Sequence, residues 1–333
     1  MIAIAPELLV AAGIAAAVSL CLAAVLSMAG PIDQPVGRSL HRTPTPRAGG
    51  LALIGGLAAG LISLWPLWPV ADVYPYVWLM LALMLAGLMG FADDVLGLNA
   101  LSKLVMQILL GVFLATNLVT SHLWLPMPWG DQLVSGLVMV ILVSAWVVGS
   151  MNAVNFMDGA NGMALMTACA IALALLMHGA GIWALWLLVC PLAILLLNAS
   201  GRVFLGDVGS QPLGLLIAAM ALPTINGHWA VAPVVMGLAP FIVDVGCTLV
   251  MRAWRREPLH QAHRQHLYQV LIDHGHPHLP VSACYAAFAW LGTLGALLAD
   301  GASMGGIILF WYGLLTISWL VVRRRYVRRS AQA

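Results

Sequence analysis

Apolar residues run along this chain in long stretches, and polar residues fall almost entirely between them. Eleven stretches stand out, at about 8–29, 50–70, 75–91, 102–121, 132–150, 161–178, 181–199, 211–225, 229–251, 281–299 and 304–322. An α-helix needs roughly 17 to 25 residues to cross about 30 Å of hydrocarbon, and most of the stretches reach that length. Lipid offers the backbone no hydrogen bonds, and the strict alternation of a membrane strand is missing, so helices are the remaining choice. The pattern predicts an all-α integral membrane protein, one bundle of about eleven transmembrane helices formed by residues 1–333 as a single domain. The first stretch has no basic leader and is followed by further spans, so it is expected to be retained and not cleaved.

Charge orients the bundle. Eleven spans place alternate connections on opposite sides, and all 14 Lys and Arg residues fall on one of them. They are Arg38, Arg42, Arg47, Lys103, Arg202, Arg252, Arg255, Arg256, Arg264, Arg323, Arg324, Arg325, Arg328 and Arg329. The other side carries Glu7, Asp72, Asp131 and Asp300 and no basic residue. By the positive-inside rule the basic side is cytoplasmic, which puts the N-terminus on the outer, periplasmic side and the C-terminus in the cytoplasm.

Composition narrows the function classes. With 62% hydrophobic and 8% charged residues the chain is no soluble domain. A net charge of +2, without a basic stripe interleaved with aromatics, excludes nucleic acid as a partner. The five cysteines lie in or beside apolar runs and form no CxxC pair, so they read as packing residues.

The chemistry is expected in five cytoplasmic segments, 31–49, 92–101, 151–160, 200–210 and 252–280. The first contains HRTPTPRAGG, where His41, Arg42 and Arg47 suit either phosphate contact or anchoring to anionic headgroups. The second, GFADDVLGL, sets Asp93 beside Asp94 at a helix end; a divalent cation would relieve their repulsion, and a water-exposed loop pair is the plain alternative. Lys103 follows as a point charge for phosphate or a snorkelling lysine. The third, NAVNFMDGANG, groups Asn152, Asn155, Asp158 and Asn161, more amides than capping needs and a set able to read a base or an N-acetyl group. In the fourth, NASGRVFLGDVGSQPLG, Asn198 closes a helix and Asp207 stands between glycines; it is the leading metal ligand, with a helix-capping aspartate as the alternative. The fifth, RREPLHQAHRQHLYQ, places His263 and His266, like Arg252 and Arg256, at helical spacing, with His274, His276 and His278 downstream. Phosphate binding fits it better than zinc, since no cysteine or carboxylate cluster completes a tetrahedral set. Asp244, inside the ninth span, needs a partner, and Arg252 lies two turns on.

In order and spacing, PTPRAGG, the Asp93–Asp94 pair, NAVNFMDGANG, FLGDVGS and the His-bearing last loop resemble the polyprenyl-phosphate N-acetylhexosamine-1-phosphate transferase family, over nearly the whole chain. The resemblance implies a bacterial inner-membrane enzyme. It would move an N-acetylhexosamine-1-phosphate from a UDP-N-acetyl amino sugar to undecaprenyl phosphate and release UMP, with Mg²⁺, or Mn²⁺ in its place, as cofactor. It further implies Asp207 as the Mg²⁺ ligand and Asp93 or Asp94 as the group activating the lipid phosphate. Asn152, Asn155 and Asp158 would line the nucleotide-sugar pocket, and His263, Arg264 and His266 would bind the sugar or its phosphates. Arg47, Lys103 and Asn198 are expected beside them at the substrates. The HRQHLYQ run, in place of the HxH triplet of many relatives, resembles the branch that begins O-antigen synthesis. Asn161 stands where many relatives have a second aspartate, so it carries no charge-dependent part. Direct attack by the lipid phosphate and a covalent phospho-aspartate both fit. A transporter or flippase is the rival class, but transporters gather polar residues at the midplane, and here they lie at helix ends. Trp and Gly positions suit either a homodimer seam or packing within the bundle and among membrane lipids.

Overall fold

The protein is described by a computed structural model covering residues 6–34, 43–65, 70–119, 122–259, 261, 263–299 and 304–330. His41 and Arg42 of the first segment lie outside the described residues. Among the described residues eight helices are long and apolar enough to cross a membrane. They are α1 (Pro6–Ala29), α3 (Val70–Leu96), α4 (Ala100–Leu118), α5 (Gly136–Met157), α7 (Ile182–Ala199), α10 (Val231–Trp254), α12 (His278–Leu298) and α13 (Met304–Ser330). Three further stretches expected to span form shorter helices: α2 (Gly49–Leu64, 16 residues), α6 (Met163–Met177, 15 residues) and α8 (Asp207–Ala219, 13 residues). Two small helices complete the set, α9 (Pro223–Asn226) and α11 (Leu267–Asp273).

Several boundaries differ from the hydropathy reading, each for a local reason. The stretch expected at 132–150 begins as a strand: β3 (His122–Leu125) and β4 (Gln132–Ser135) pair as an antiparallel hairpin, and α5 starts only after it. The stretch at 211–225 is broken because α8 stops at Ala219 and Pro223 starts a new turn, as a proline lacking its N–H does. In the other direction, α3 runs on through Asp93 and Asp94 to Leu96, and α5 carries Asn152 and Asn155 in its last turns. These side chains turn toward protein and not lipid, so the helices outlast their apolar runs.

Packing puts α8 at the centre. Every residue of α8 after Asp207 is buried, and the helix is walled by α2, α3 and α5. Its few polar side chains after Asp207, Ser210 and Gln211, find hydrogen-bond partners in Asn155 and Gln107, which lets the helix sit in the interior of the bundle. The contacts are glycine-dependent: a Cβ on Gly50 of α2 would come within 2.2 Å of the Gly209 backbone in α8. Around this core, α1 packs on α2 and α7, α12 on α6 and α10, and α13 on α10. The outer helices keep large apolar side chains exposed, among them Leu109, Leu137, Leu196 and Phe310, as lipid-facing surfaces do.

Candidate active site

The five predicted segments converge on one cavity of about 630 Å³. Of the expected site residues, Arg47, Lys103, Asn152, Asn155, Asp158, Asn198, Asp207, His263 and His266 line it. Asp93, Asp94 and Arg264 do not.

The cavity wall is assembled at the start of α8. The PTPRAGG and FLGD segments lie side by side: the Phe204 N–H donates to the Pro46 carbonyl (2.8 Å), and the N–H groups of Gly49 and Gly50 donate to the carbonyls of Phe204 and Leu205 (both 2.9 Å). Gly206 precedes the helix with φ of +72°, a conformation that favours glycine, and so brings Asp207 to its first position. The aspartate that caps α8 is not Asp207 but Asp94, from the last turn of α3. Its two carboxylate oxygens accept the N–H groups of Asp207 (3.1 Å) and Val208 (3.0 Å). The Arg47 guanidinium bridges Asp94 (2.7 Å) and Asp207 (3.2 Å). Asp93 pairs with Lys103 at 2.8 Å and lies within hydrogen-bonding reach of the Asp207 carboxyl. The two adjacent aspartates thus do different work, Asp94 holding a helix and Asp93 standing against the cavity carboxylate.

Amides form the floor. Asn152 donates to Gln107 (2.7 Å) and Gln107 to Gln211 (2.9 Å), while Asn155 donates to the Ser210 hydroxyl (2.8 Å). Gln107 and Gln211 also line the cavity and were not singled out from the sequence, though a glutamine within an apolar run was the available signal. Asn198 is a staple: its carbonyl accepts the Gly162 N–H (2.8 Å) and its amide donates to Val203 (3.0 Å), so the polar atoms expected at a substrate are engaged by backbone. Asp158, just beyond α5, has a carboxyl that burial pushes well above the ordinary range, with the negative Asp207 adding to the rise.

The far wall is the loop before α11. His263 and His266 are not on a shared helical face, because the chain is irregular until His266 caps α11, yet their rings lie 4.8 Å apart. Burial and the neighbouring His266 push His263 down to about 4, and burial lowers His266 too, so both are neutral near pH 7. Arg264 turns away and pairs with Asp273. Arg252 is not the partner of Asp244: it bonds Glu257 (3.3 Å) and the Pro258 carbonyl (2.6 Å).

The charge balance of this centre bears on a cation. Asp33, Asp158 and Asp207 line the cavity and Asp93 and Asp94 stand behind it, against the cationic Arg47 and Lys103. Among the described residues no three His, Cys, Asp or Glu side chains cage a metal by themselves. Mg²⁺ does not need such a cage, since one or two carboxylates suffice when substrate phosphates and water complete the shell. The residues present fit that mode. Asp207, in contact with another carboxyl, and Asp158, beside it in the same cavity, are the groups that would hold it.

A polar cavity of carboxylates, amides and neutral imidazoles at the ends of apolar helices is the arrangement of a membrane-embedded enzyme, and similarity to known proteins gives its class. Residues 76–225 match the family model described as Glycosyl transferase family 4. A decaprenyl-phosphate N-acetylglucosaminephosphotransferase of Mycolicibacterium smegmatis is 30% identical over 307 residues, covering 80% of this chain and 74% of the relative. A probable undecaprenyl-phosphate N-acetylglucosaminyl 1-phosphate transferase of Bacillus subtilis is 24% identical, covering 88% and 82%. A phospho-N-acetylmuramoyl-pentapeptide-transferase of Ruegeria pomeroyi is 31% identical, covering 64% and 67%. The chain belongs to glycosyl transferase family 4 and is a phosphoglycosyltransferase.

Proposed function

We propose that this protein transfers an N-acetylhexosamine-1-phosphate from a UDP-sugar to undecaprenyl phosphate at the cytoplasmic face of a bacterial inner membrane, releasing UMP, with Mg²⁺ or Mn²⁺ as cofactor. One observation carries the reading: the carboxyl groups of Asp33, Asp158 and Asp207 face the same cavity as an amide floor and a neutral histidine wall. A pyrophosphate donor brought against these carboxyl groups is best accommodated with a divalent cation between them. Both partners' names in the relatives, a polyprenyl phosphate and an N-acetylated sugar, suit this cavity. The HRQHLYQ run supports a place at the start of O-antigen or a related surface glycan.

In the proposed step an oxygen of the lipid phosphate attacks the sugar-linked phosphorus, the bond from that phosphorus to UMP breaks, and a new pyrophosphate link forms. Phosphoryl transfer of this kind depends on positioning and charge neutralisation. Arg47 and Lys103 line the cavity with charges that would hold phosphate oxygens, and the Asn152, Asn155 and Gln107 amides beside them support reading of base or N-acetyl groups. Asp158 and Asp207 would hold the cation, which when bound neutralises the pyrophosphate and the departing UMP. Asp93 pairs with Lys103 and lies near Asp207 while Asp94 is engaged in capping α8, which supports Asp93 of the two adjacent aspartates as the one that assists the acceptor. An ionised lipid phosphate is already a nucleophile, which favours direct attack over a phospho-aspartate.

The test mixes purified protein, undecaprenyl phosphate and a panel of UDP-N-acetylhexosamines, with Mg²⁺, Mn²⁺ or chelator, and follows UMP. Metal-dependent UMP release that requires the lipid is expected. No release with any donor would overturn the reading, and release without lipid would replace direct attack by the covalent route.

A further inference from the structure

Asp244 lies in α10, is 1% exposed and does not line the cavity, yet it gathers more hydrogen-bond donors than any residue of the site. Its carboxylate accepts the N–H groups of Leu267 (2.7 Å) and Tyr268 (3.3 Å), the Tyr285 hydroxyl (2.7 Å), the Trp319 indole N–H (2.9 Å) and the Thr248 hydroxyl (3.3 Å). A buried carboxylate is tolerated only when its lone pairs are filled in this way. Two of these donors are the first N–H groups of α11, whose preceding residue, His266, faces the cavity with its Nδ1 3.9 Å from Asp244. A third comes from α13, and α13 reaches the same loop again through Arg323, which donates to the Gln265 carbonyl and covers the Trp319 ring at 5.0 Å.

We propose that Asp244 is a positioning residue for donor recognition: it fixes the start of α11, and so sets where His263, His266 and Gln269 stand in the cavity, with Trp319 and Arg323 of α13 as the outer half of the same clamp. The inference rests on the reading that this wall meets the sugar of the UDP donor. Among the described residues Asp244 has no hydrogen bond to Asp94, Asp207 or Arg47, and its link toward the far end runs only through Tyr268, whose hydroxyl donates to the Phe156 carbonyl, so its loss acts first on the histidine wall. The same layout makes α13, a helix remote from the cavity, part of the device that selects the sugar.

The experiment uses the full-length protein in detergent with undecaprenyl phosphate and the UDP-N-acetylhexosamine that the wild type turns over fastest. Wild-type turnover separates the two readings, since its absence would sink the proposed function and its presence makes the variants decisive. Asp244→Asn puts an N–H₂ against N–H donors, and Trp319→Phe removes one donor while keeping most of the packing. Since a misplacement of about 1 Å can cost about 100-fold in rate, a rise of about tenfold or more in donor KM is expected for Asp244→Asn and a smaller one for Trp319→Phe. The acceptor KM should stay within about twofold, and discrimination between C4-epimeric donors should weaken in both variants. Donor KM and epimer ratio unchanged in folded Trp319→Phe, or donor and acceptor KM rising alike, would overturn the proposal. If Asp244→Asn does not fold, Trp319→Phe alone decides.

Discussion

Substituting Asp94 and Asp207 in turn should separate the residue that holds the site from the one that uses it. Asp94 has an 8% exposed side chain, accepts two backbone N–H groups at the start of α8 and pairs with Arg47. Hydrogen bonds to a charged group contribute roughly 1.5–3 kcal/mol each, and Asn retains only one acceptor oxygen for them. The Arg47 bond is discounted because that side chain is 35% exposed and screened by water. Asp94→Asn should therefore destabilise the protein by about 2–4 kcal/mol, from one backbone bond lost and an N–H₂ set against a donor. Asp207 is different: its N–H is served by Asp94, and its carboxyl meets Arg47 on one side and the like-charged Asp93 on the other. Asp207→Asn removes that repulsion and should leave stability unchanged or raised while abolishing transfer, as functional carboxylates commonly do. The assay is thermal unfolding of both variants in one detergent without added metal, beside metal-dependent UMP release. Asp207→Asn melting below Asp94→Asn, or retaining wild-type transfer, would refute the division.

Three further outcomes are expected. Because burial raises the Asp158 carboxyl in the folded protein, wild type should lose stability relative to Asp158→Asn as pH rises from about 4, the ordinary carboxyl value, toward neutral. That difference should vanish in acid, as melting curves across pH would show. Gly50→Ala drives a Cβ to 2.2 Å from the Gly209 backbone, so it should cost about 3 kcal/mol or more and show as poor accumulation of monodisperse protein. Arg264→Ala breaks the pair with Asp273, whose side chain is exposed, and should leave donor KM near wild type, since Arg264 does not line the cavity; a tenfold rise would return Arg264 to the site.

What could be read from the sequence was set by range. Apolar stretches announce α1, α5, α10 and α13 because each helix buries or exposes its own side chains, a property written in consecutive residues. Asp207, Asn155 and His266 stood out for a related reason, polar residues clustered at helix ends, and all three line the cavity. Sequence could not show that Asp94 serves a helix 113 positions away, nor that Asn198 and Arg252 are engaged by nearby backbone. Those assignments depend on which ends meet. Asp244 was legible only as an anomaly, an acid in an apolar run, and its five donors come mostly from segments still to be threaded past it.

The burial of α8 also bears on how the enzyme lives in its membrane. Bilayers differ in thickness, and spanning helices answer by tilting or by thinning the lipid around them. A helix of 13 residues enclosed by α2, α3 and α5 has no lipid contact through which to feel that change. Peripheral helices such as α1 and α13 instead carry exposed large apolar side chains, Leu9 and Val10 on one and Phe310 and Ile317 on the other, that meet the lipid directly. The carboxylate at the head of α8 thus keeps its depth when the surrounding lipid changes, so one unaltered reaction centre can serve membranes of differing composition and growth temperature.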